Sequence, residues 1–272
     1  MTRIAVVGGG RIGEALVAGL LESGRATKDL VVVEPTAARA ATLAERFKIR
    51  VTDSVGDAVV GADIVVLAVK PNDVDTVLND LSKSELDTGR EQILVSLAAG
   101  VTTARLENRL PAGFAVVRVM PNTPMLVGQG MCVLTPGRYA DPEQLELVGE
   151  MLEAVGRVVT VTESQMDAVT AVSGSGPAYF FLVVEAMVDA GVSLGLTRDV
   201  ATQLVNQTMI GSAALLEETG QSAVDLRAAV TSPGGTTAAA LRVLERGALR
   251  STFIEALHAS KQRSAEQGAS NE

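Results

Sequence analysis

The sequence predicts an α/β fold in two parts: a doubly wound sheet of parallel strands over residues 1–162, then an all-helical domain over residues 163–272. Three observations predict it. Short β-branched runs alternate with amphipathic stretches in the first part. A glycine-rich turn follows the first of those runs directly. Beyond about Thr162 the strand-like runs stop and only helical periodicity continues.

In chain order, buried parallel strands are expected at 4–7, 30–33, 64–69, 93–97 and 115–119, each dominated by Val, Ile, Leu or Ala. Segments 12–23 and 36–47 between them read as helices, and 157–161 reads as a last strand. Helices are then expected at 177–194, 198–219, 235–245 and 251–266, with 267–272 fraying. Small residues recur in these helices (Ala186, Ala190, Ala201, Gly211, Ala213, Ala214), so their backbones can approach closely. An isolated helical piece this apolar is expected to complete its core against another subunit.

Composition narrows the function classes. A net charge of −9 leaves no broad basic surface, so nucleic acid is not an expected partner. Cys132 is the only cysteine, which excludes an internal disulfide and a thiolate metal cage; it reads as a buried apolar thiol. No cluster of ligands has metal-site spacing, so no metal is expected. The apolar stretch 179–192 is interrupted by Glu185 and Asp189 and is too short to span a bilayer. No charged region, apolar segment and cleavage site precede the first strand, so a cytoplasmic address and no membrane association are expected.

Gly8, Gly10 and Gly13, with Arg11 and Ile12 between them, follow the first strand and open a helix. That context turns a weak G-x-G-x-x-G pattern into a Rossmann-type dinucleotide site. The glycines permit a tight turn, close approach of pyrophosphate and close helix–strand packing, and the helix N-terminus offers free N–H groups to the anion. An ordinary tight turn is the bland alternative. Glu34 ends the second strand, where an acid holds the adenosine ribose hydroxyls and disfavours a 2′-phosphate. Arg11, Thr36 and Arg39 pull the other way, so NADH and NADPH both stay open. Ala68-Val69-Lys70-Pro71 closes the strand at 64–69 on the ligand edge; Lys70 reads equally as a cofactor contact or a solvated side chain, and Pro71 as a strand terminator.

The acceptor is narrowed by what is missing. Oxidation of an alcohol needs a base to remove the hydroxyl proton. The single histidine, His258, and the single lysine of the second part, Lys261, both lie near the tail. A protonated C=N needs no such base: it is already electrophilic, and hydride transfer neutralises it. Segment 230–237 (Val-Thr-Ser-Pro-Gly-Gly-Thr-Thr) brings hydroxyls and free N–H groups to a helix start, which suits a carboxylate. A helix capped by Ser or Thr is the alternative. Ser173-Gly174-Ser175-Gly176-Pro177 reads as a second loop opening a helix, with Pro177 in its first turn.

Together these residues resemble the Δ1-pyrroline-5-carboxylate reductase family over nearly the whole chain. The likeness runs from the glycine loop through Ala68–Pro71 and Arg118-Val119-Met120-Pro121-Asn122-Thr123-Pro124. It continues through the stretch from Asp167 to Tyr179 and ends in the loop 232–237. The resemblance implies reduction of 1-pyrroline-5-carboxylate to L-proline with NADH or NADPH. It further implies a homodimer interlocked through the helical domains, with assembly to decamers, and a site between one sheet domain and the paired helical domains. Ser232, Gly234, Gly235, Thr236 and Thr237 match the family's carboxylate-binding loop, and Thr237 the residue that hydrogen-bonds the imine nitrogen. Glu163 matches a carboxylate near the ring; Pro121 and Asn122 match the segment beside the nicotinamide. Two departures stand out: Ala229 where the family often has Asn, and Ser222-Ala223-Val224 where many members have His-Pro-Gly. A six-membered piperideine carboxylate reductase, a β-hydroxyacid dehydrogenase and a non-catalytic dinucleotide sensor are the competing readings. The dehydrogenase would carry a lysine on an early helix of the second domain, and none is present there.

Overall fold

The computed structural model describes residues 2–84 and 92–270. Its contacts divide the chain into two compact units, one comprising 1–175 with 260–272 and the other Gly176–Ala259. The division falls beyond the expected 162/163 boundary, and the C-terminal stretch returns to the first unit.

The first unit is built on β1 (Ile4–Val7), β2 (Leu30–Val33), β3 (Arg50–Thr52), β4 (Ile64–Leu67), β5 (Ile93–Ser96), β6 (Ala115–Met120), β7 (Gly130–Pro136) and β8 (Gly156–Thr160). They form one eight-stranded sheet in the order β3-β2-β1-β4-β5-β6-β7-β8. Strands β1 to β6 are parallel; β7 pairs antiparallel with β6, and β8 runs parallel to β7. The sheet is therefore mixed, where only parallel strands were expected. β3 and β7 were also not anticipated: β3 is a three-residue edge strand, half exposed, with no apolar run to announce it.

The helices on this sheet are α1 (Arg11–Glu22), α2 (Ala37–Phe47), α3 (Val55–Val59), α4 (Val74–Lys83), α5 (Thr103–Glu107) and α6 (Pro142–Glu153). Strand periodicity of two sorts the core onto two faces. Ile4, Val6, Val32, Ile64, Val66, Val95 and Val117 face Leu16 and Leu20 of α1, Leu43 of α2 and Met151 of α6. The alternating set, Ala5, Val7, Val33, Val65, Leu67 and Val116, faces Val59 of α3, Leu78 and Leu81 of α4, and Leu106 of α5. With both faces covered, the inner strands β1, β2, β4 and β5 are buried throughout, as their continuous apolar runs require. Cys132 lies in this core, fully buried, and desolvation pushes its thiol up to about 11.

A helical run begins at a 3₁₀ turn, Glu163–Gln165, and continues as α7 (Met166–Val169), a π turn (Thr170–Gly174) and α8 (Gly176–Ser193). The expected loop at 173–177 is thus a π turn inside a continuous helix. Pro177 explains it: with no N–H it cannot donate to the carbonyl of Ser173, one turn back. That carbonyl accepts instead from Asn122 Nδ2 at 3.1 Å. The whole run, Glu163–Ser193, is long and apolar enough to cross a membrane, although the apolar stretch within it is not. The remaining helices are α9 (Arg198–Thr219), α10 (Ala223–Ala229), α11 (Thr236–Arg246) and α12 (Leu249–Ser270). α10 was not expected; Ser222 caps it by accepting from the Asp225 N–H at 3.1 Å. α12 extends through part of the stretch expected to fray, of which residues 271–272 lie outside the described residues.

Candidate functional site

Strand order reverses between β2-β1 and β4-β5-β6, so a crevice opens at the carboxyl ends of β1 and β4. The glycine loop and Ala68–Pro71 both lie there. Gly8 has φ +113°, and a Cβ on it would sit 2.6 Å from the Ala68 carbonyl oxygen. A Cβ on Gly13 would collide with the carbonyl of Gly8, so the glycine lets α1 pack onto the loop. At Gly10 a Cβ would meet nothing within 4 Å. Gly10 is the N-cap of α1, and no side chain caps the helix. The N–H groups of the first turn, from Arg11 to Gly13, therefore have no capping side chain and stand at the positive end of the helix dipole, which fits a pyrophosphate.

Glu34 is buried at the end of β2. Its Oε1 accepts from the Thr36 N–H at 2.8 Å, and Oε2 lies 3.7 Å from Arg39 Nε. Arg39 also donates from Nε to the Gly9 carbonyl and from Nη2 to Glu14 Oε2 at 3.2 Å, and Glu14 pairs in turn with Arg46. The Arg11 side chain is exposed and makes no hydrogen bond or ion pair among the described residues. Ala68 donates its N–H to the Val7 carbonyl at 2.8 Å, and Val69 Cγ1 would lie 3.0 Å from a Cβ on Gly8. Lys70 is exposed, and Pro71 opens a 3₁₀ turn, Pro71–Asp73, behind it. The segments singled out on sequence, the glycine loop, Glu34 and Ala68–Pro71, thus lie around one crevice.

Pro121 is buried where β6 ends, and Asn122 bonds through both ends of its amide. Besides its bond to Ser173, its Oδ1 accepts from the Met131 N–H at 2.8 Å. Asn122 therefore ties the β6–β7 connection to the π turn. Glu163 is also tied. It accepts from Thr103 Oγ1 at 2.9 Å, from the Thr103 N–H at 3.3 Å, and from Arg118, whose side chain is only 5% exposed. Sequence reasoning missed Arg118 and Thr103 as partners of Glu163. The available signal was an arginine inside an otherwise apolar strand, which needs a carboxylate when buried.

In the second unit, the loop 232–237 is shaped by local bonds. Gly235 N–H donates to the Ser232 carbonyl at 3.1 Å, Gly234 has φ +71°, and Ser232 Oγ would lie 2.5 Å from a Cβ on Gly235. The N-cap of α11 is Gly235, and no side chain caps the helix. The alternative of a Ser- or Thr-capped helix is therefore wrong: the hydroxyls of Ser232, Thr236 and Thr237 are not spent on capping. Thr237 is half-buried and Thr236 exposed, both in the first turn of α11.

The fold and the glycine crevice define the class, a nicotinamide-dinucleotide-dependent oxidoreductase of Rossmann type. Residues 3–100 match the family model described as NADP oxidoreductase, coenzyme F420-dependent, and residues 163–267 match the one described as pyrroline-5-carboxylate reductase dimerisation. A pyrroline-5-carboxylate reductase of Mycobacterium leprae is 56% identical over 283 residues, covering 97% of this chain and 96% of the relative. The structure of the pyrroline-5-carboxylate reductase from Coxiella burnetii superposes with a TM-score of 0.93 at 38% identity, over 98% of both chains. A Plasmodium falciparum pyrroline carboxylate reductase with NADP bound gives a TM-score of 0.86 at 29% identity, again over 98% of both chains. The chain belongs to the pyrroline-5-carboxylate reductase family.

Proposed function

We propose that the chain reduces the C=N bond of 1-pyrroline-5-carboxylate to give L-proline, the last step of proline biosynthesis, in the cytoplasm. The observation that carries this reading is the α11 N-terminus, uncapped by any side chain and bordered by three hydroxyls, in a chain whose family is named for that reaction. A ring carboxylate would accept from the N–H groups of Thr236 and Thr237 and from the hydroxyl of Ser232, with Gly234 and Gly235 setting the turn. Thr237 would hydrogen-bond the ring nitrogen, orienting and polarising the imine. Threonine is too weak an acid to be the proton source, so the proton comes from the iminium form or from water. Glu163, its carboxylate held by Arg118 and Thr103, would stand near the ring and fix the start of the helical run.

The dinucleotide, when bound, supplies the hydride. Gly8, Gly10, Arg11, Ile12 and Gly13 would hold its pyrophosphate, Glu34 its adenosine ribose, and Ala68, Val69, Lys70 and Pro71 the crevice wall. Pro121 and Asn122 would border the nicotinamide. We further propose a homodimer through the helical segment, extending to a decamer, with no nucleic-acid or membrane partner. The exposed Phe180, Phe181, Leu182 and Ile210 support a second copy as the cover for the apolar run at Glu163–Ser193.

NAD(P)H oxidation by pyrroline-5-carboxylate and its six-membered analogue, beside NAD(P)+ reduction by a 3-hydroxy acid, tests the reading. Turnover is expected to be fastest with the five-membered imine. Turnover confined to the hydroxy acid would overturn it.

A further inference from the structure

The net charge of −9 hides one strongly basic place. At the amino ends of the parallel strands, away from the glycine crevice, the sheet carries a cleft of about 290 Å³. Strand register builds it. Ile4 of β1 lies beside Leu30 of β2, and Val31 beside Arg50 of β3, so the residues that lead into the three strands converge. Arg3 precedes β1, Lys28 lies in the 3₁₀ turn Thr27–Asp29 before β2, Lys48 precedes β3 and Arg50 opens it; all four line the cleft. The buried Ile4, Leu30 and Ala58 line it as well.

We propose that this cleft is a second anion site, separate from the dinucleotide crevice, that takes a di- or polyphosphate group. Four cations meet one carboxylate, Asp29, among its lining residues. The side chains of Arg3, Lys28, Lys48 and Arg50 make no hydrogen bond or ion pair among the described residues. Elsewhere in the sheet unit arginines are spent: Arg39 and Arg46 on Glu14, Arg105 and Arg109 on Asp75, and Arg118 on Glu163. Like charges gathered without partners repel one another, and a polyanion removes that repulsion. Arginine offers phosphate a planar pair of donors and lysine a mobile point charge, so the cleft holds both kinds of contact.

Two local features support a built site. Lys48, the C-cap of α2, has φ +55°, in the left-handed region where glycine sits without strain. The position nevertheless carries a lysine whose side chain lines the cleft, and strain kept at one residue marks a side chain that is used. A wall is also fixed in advance. Gln92, only 5% exposed, donates from Nε2 to the carbonyls of Val59 and Ala62 at 3.1 and 2.7 Å, which pins the turn that brings Ala62 to the cleft. A preformed wall lowers the ordering cost of binding.

Calorimetric titration of pyrophosphate into the full-length protein, saturated with NADP+ to fill the crevice, tests this. The wild type should show a single saturable site whose affinity falls as salt rises. Lys48→Gln and Arg50→Gln should each weaken binding about tenfold, the worth of one charge-assisted contact. Asp29→Asn should tighten it several-fold, a gain that misfolding does not produce. Lys83→Gln, the same loss of charge on the exposed face of α4, should leave it unchanged. ADP, titrated in parallel, separates the sources of the phosphate. Equal or weaker binding than pyrophosphate assigns the site to the phosphate group alone; tighter binding assigns it to a nucleotide whose body rests on the apolar lining. The proposal is overturned if neither probe binds saturably, if Lys48→Gln and Arg50→Gln change binding no more than Lys83→Gln, or if Asp29→Asn weakens it.

Discussion

The two units bury their apolar side chains in different ways. In the sheet unit, helices cover both faces, and the strand residues from Ile4 to Val117 close two cores within one chain. In the helical unit, the buried core amounts to Val188, Ala201 and Val205 with Val184 against them. Around it Phe181, Leu182, Leu194 and Ile210 stay more than 60% exposed. A sheet with helices on both faces is a finished object. A set of helices with apolar residues all round is half of one, and its family model is a dimerisation model. The division of labour follows: the self-sufficient unit holds the glycine crevice, and the unit with its apolar residues exposed carries the loop 232–237.

Breaking that comparison has a graded set of outcomes. Phe181→Asp puts a charge where a second copy is expected, at a cost of about 2 kcal/mol or more per site. Sedimentation should show monomers and the reductase activity should vanish, while the sheet unit keeps its nucleotide affinity. Leu16→Ala, in the finished core, should cost about 3 to 5 kcal/mol in denaturant unfolding and leave the oligomer unchanged. If Leu16→Ala instead dissociates the oligomer, the two units are not independent in this sense.

Cys132 sharpens the same point through pH. Its thiol titrates near 9.0 when unfolded and at about 11 when folded, because burial penalises the thiolate. The unfolded chain therefore loses its proton first. This contribution to stability is complete below pH 9 and is lost as pH rises from 9 to 11, by about 2 to 3 kcal/mol. Cys132→Ala should flatten the fall in stability over that window. An unchanged pH profile would remove the thiol from the account. At the helical loop, Thr237→Ala should lower kcat/KM by about 10- to 100-fold, the worth of one or two hydrogen bonds, with dimerisation intact. Unchanged kinetics would take Thr237 out of the chemistry.

Much of this division was legible in the sequence, for physical reasons that also explain the gaps. Fully buried strands such as β1 and β4 announce themselves because every position must be apolar. β3 does not, because an edge strand of three residues with one exposed arginine has no pattern to show. β7 was masked by its flanking Gly130 and Pro136, though Cys132, Val133 and Leu134 between them are buried. α10 had its signal in Ser222 followed by Asp225, a capping pattern that the His-Pro-Gly comparison obscured. The glycine loop was readable because backbone geometry at Gly8 and Gly13 admits nothing larger. The ties of Glu163 to Arg118 and Thr103 were not, since they join residues 45 and 60 positions apart. The π turn belongs to the same class: Pro177 marks the interruption, but only the fold supplies Asn122 to take the orphaned carbonyl.

The central claim is that the chain is a proline-producing imine reductase. Product analysis with purified protein, NAD(P)H and pyrroline-5-carboxylate tests it most directly. The account predicts L-proline formed in equimolar amount with the nucleotide oxidised. Binding of nucleotide with no proline formed, by an intact dimer, would contradict it.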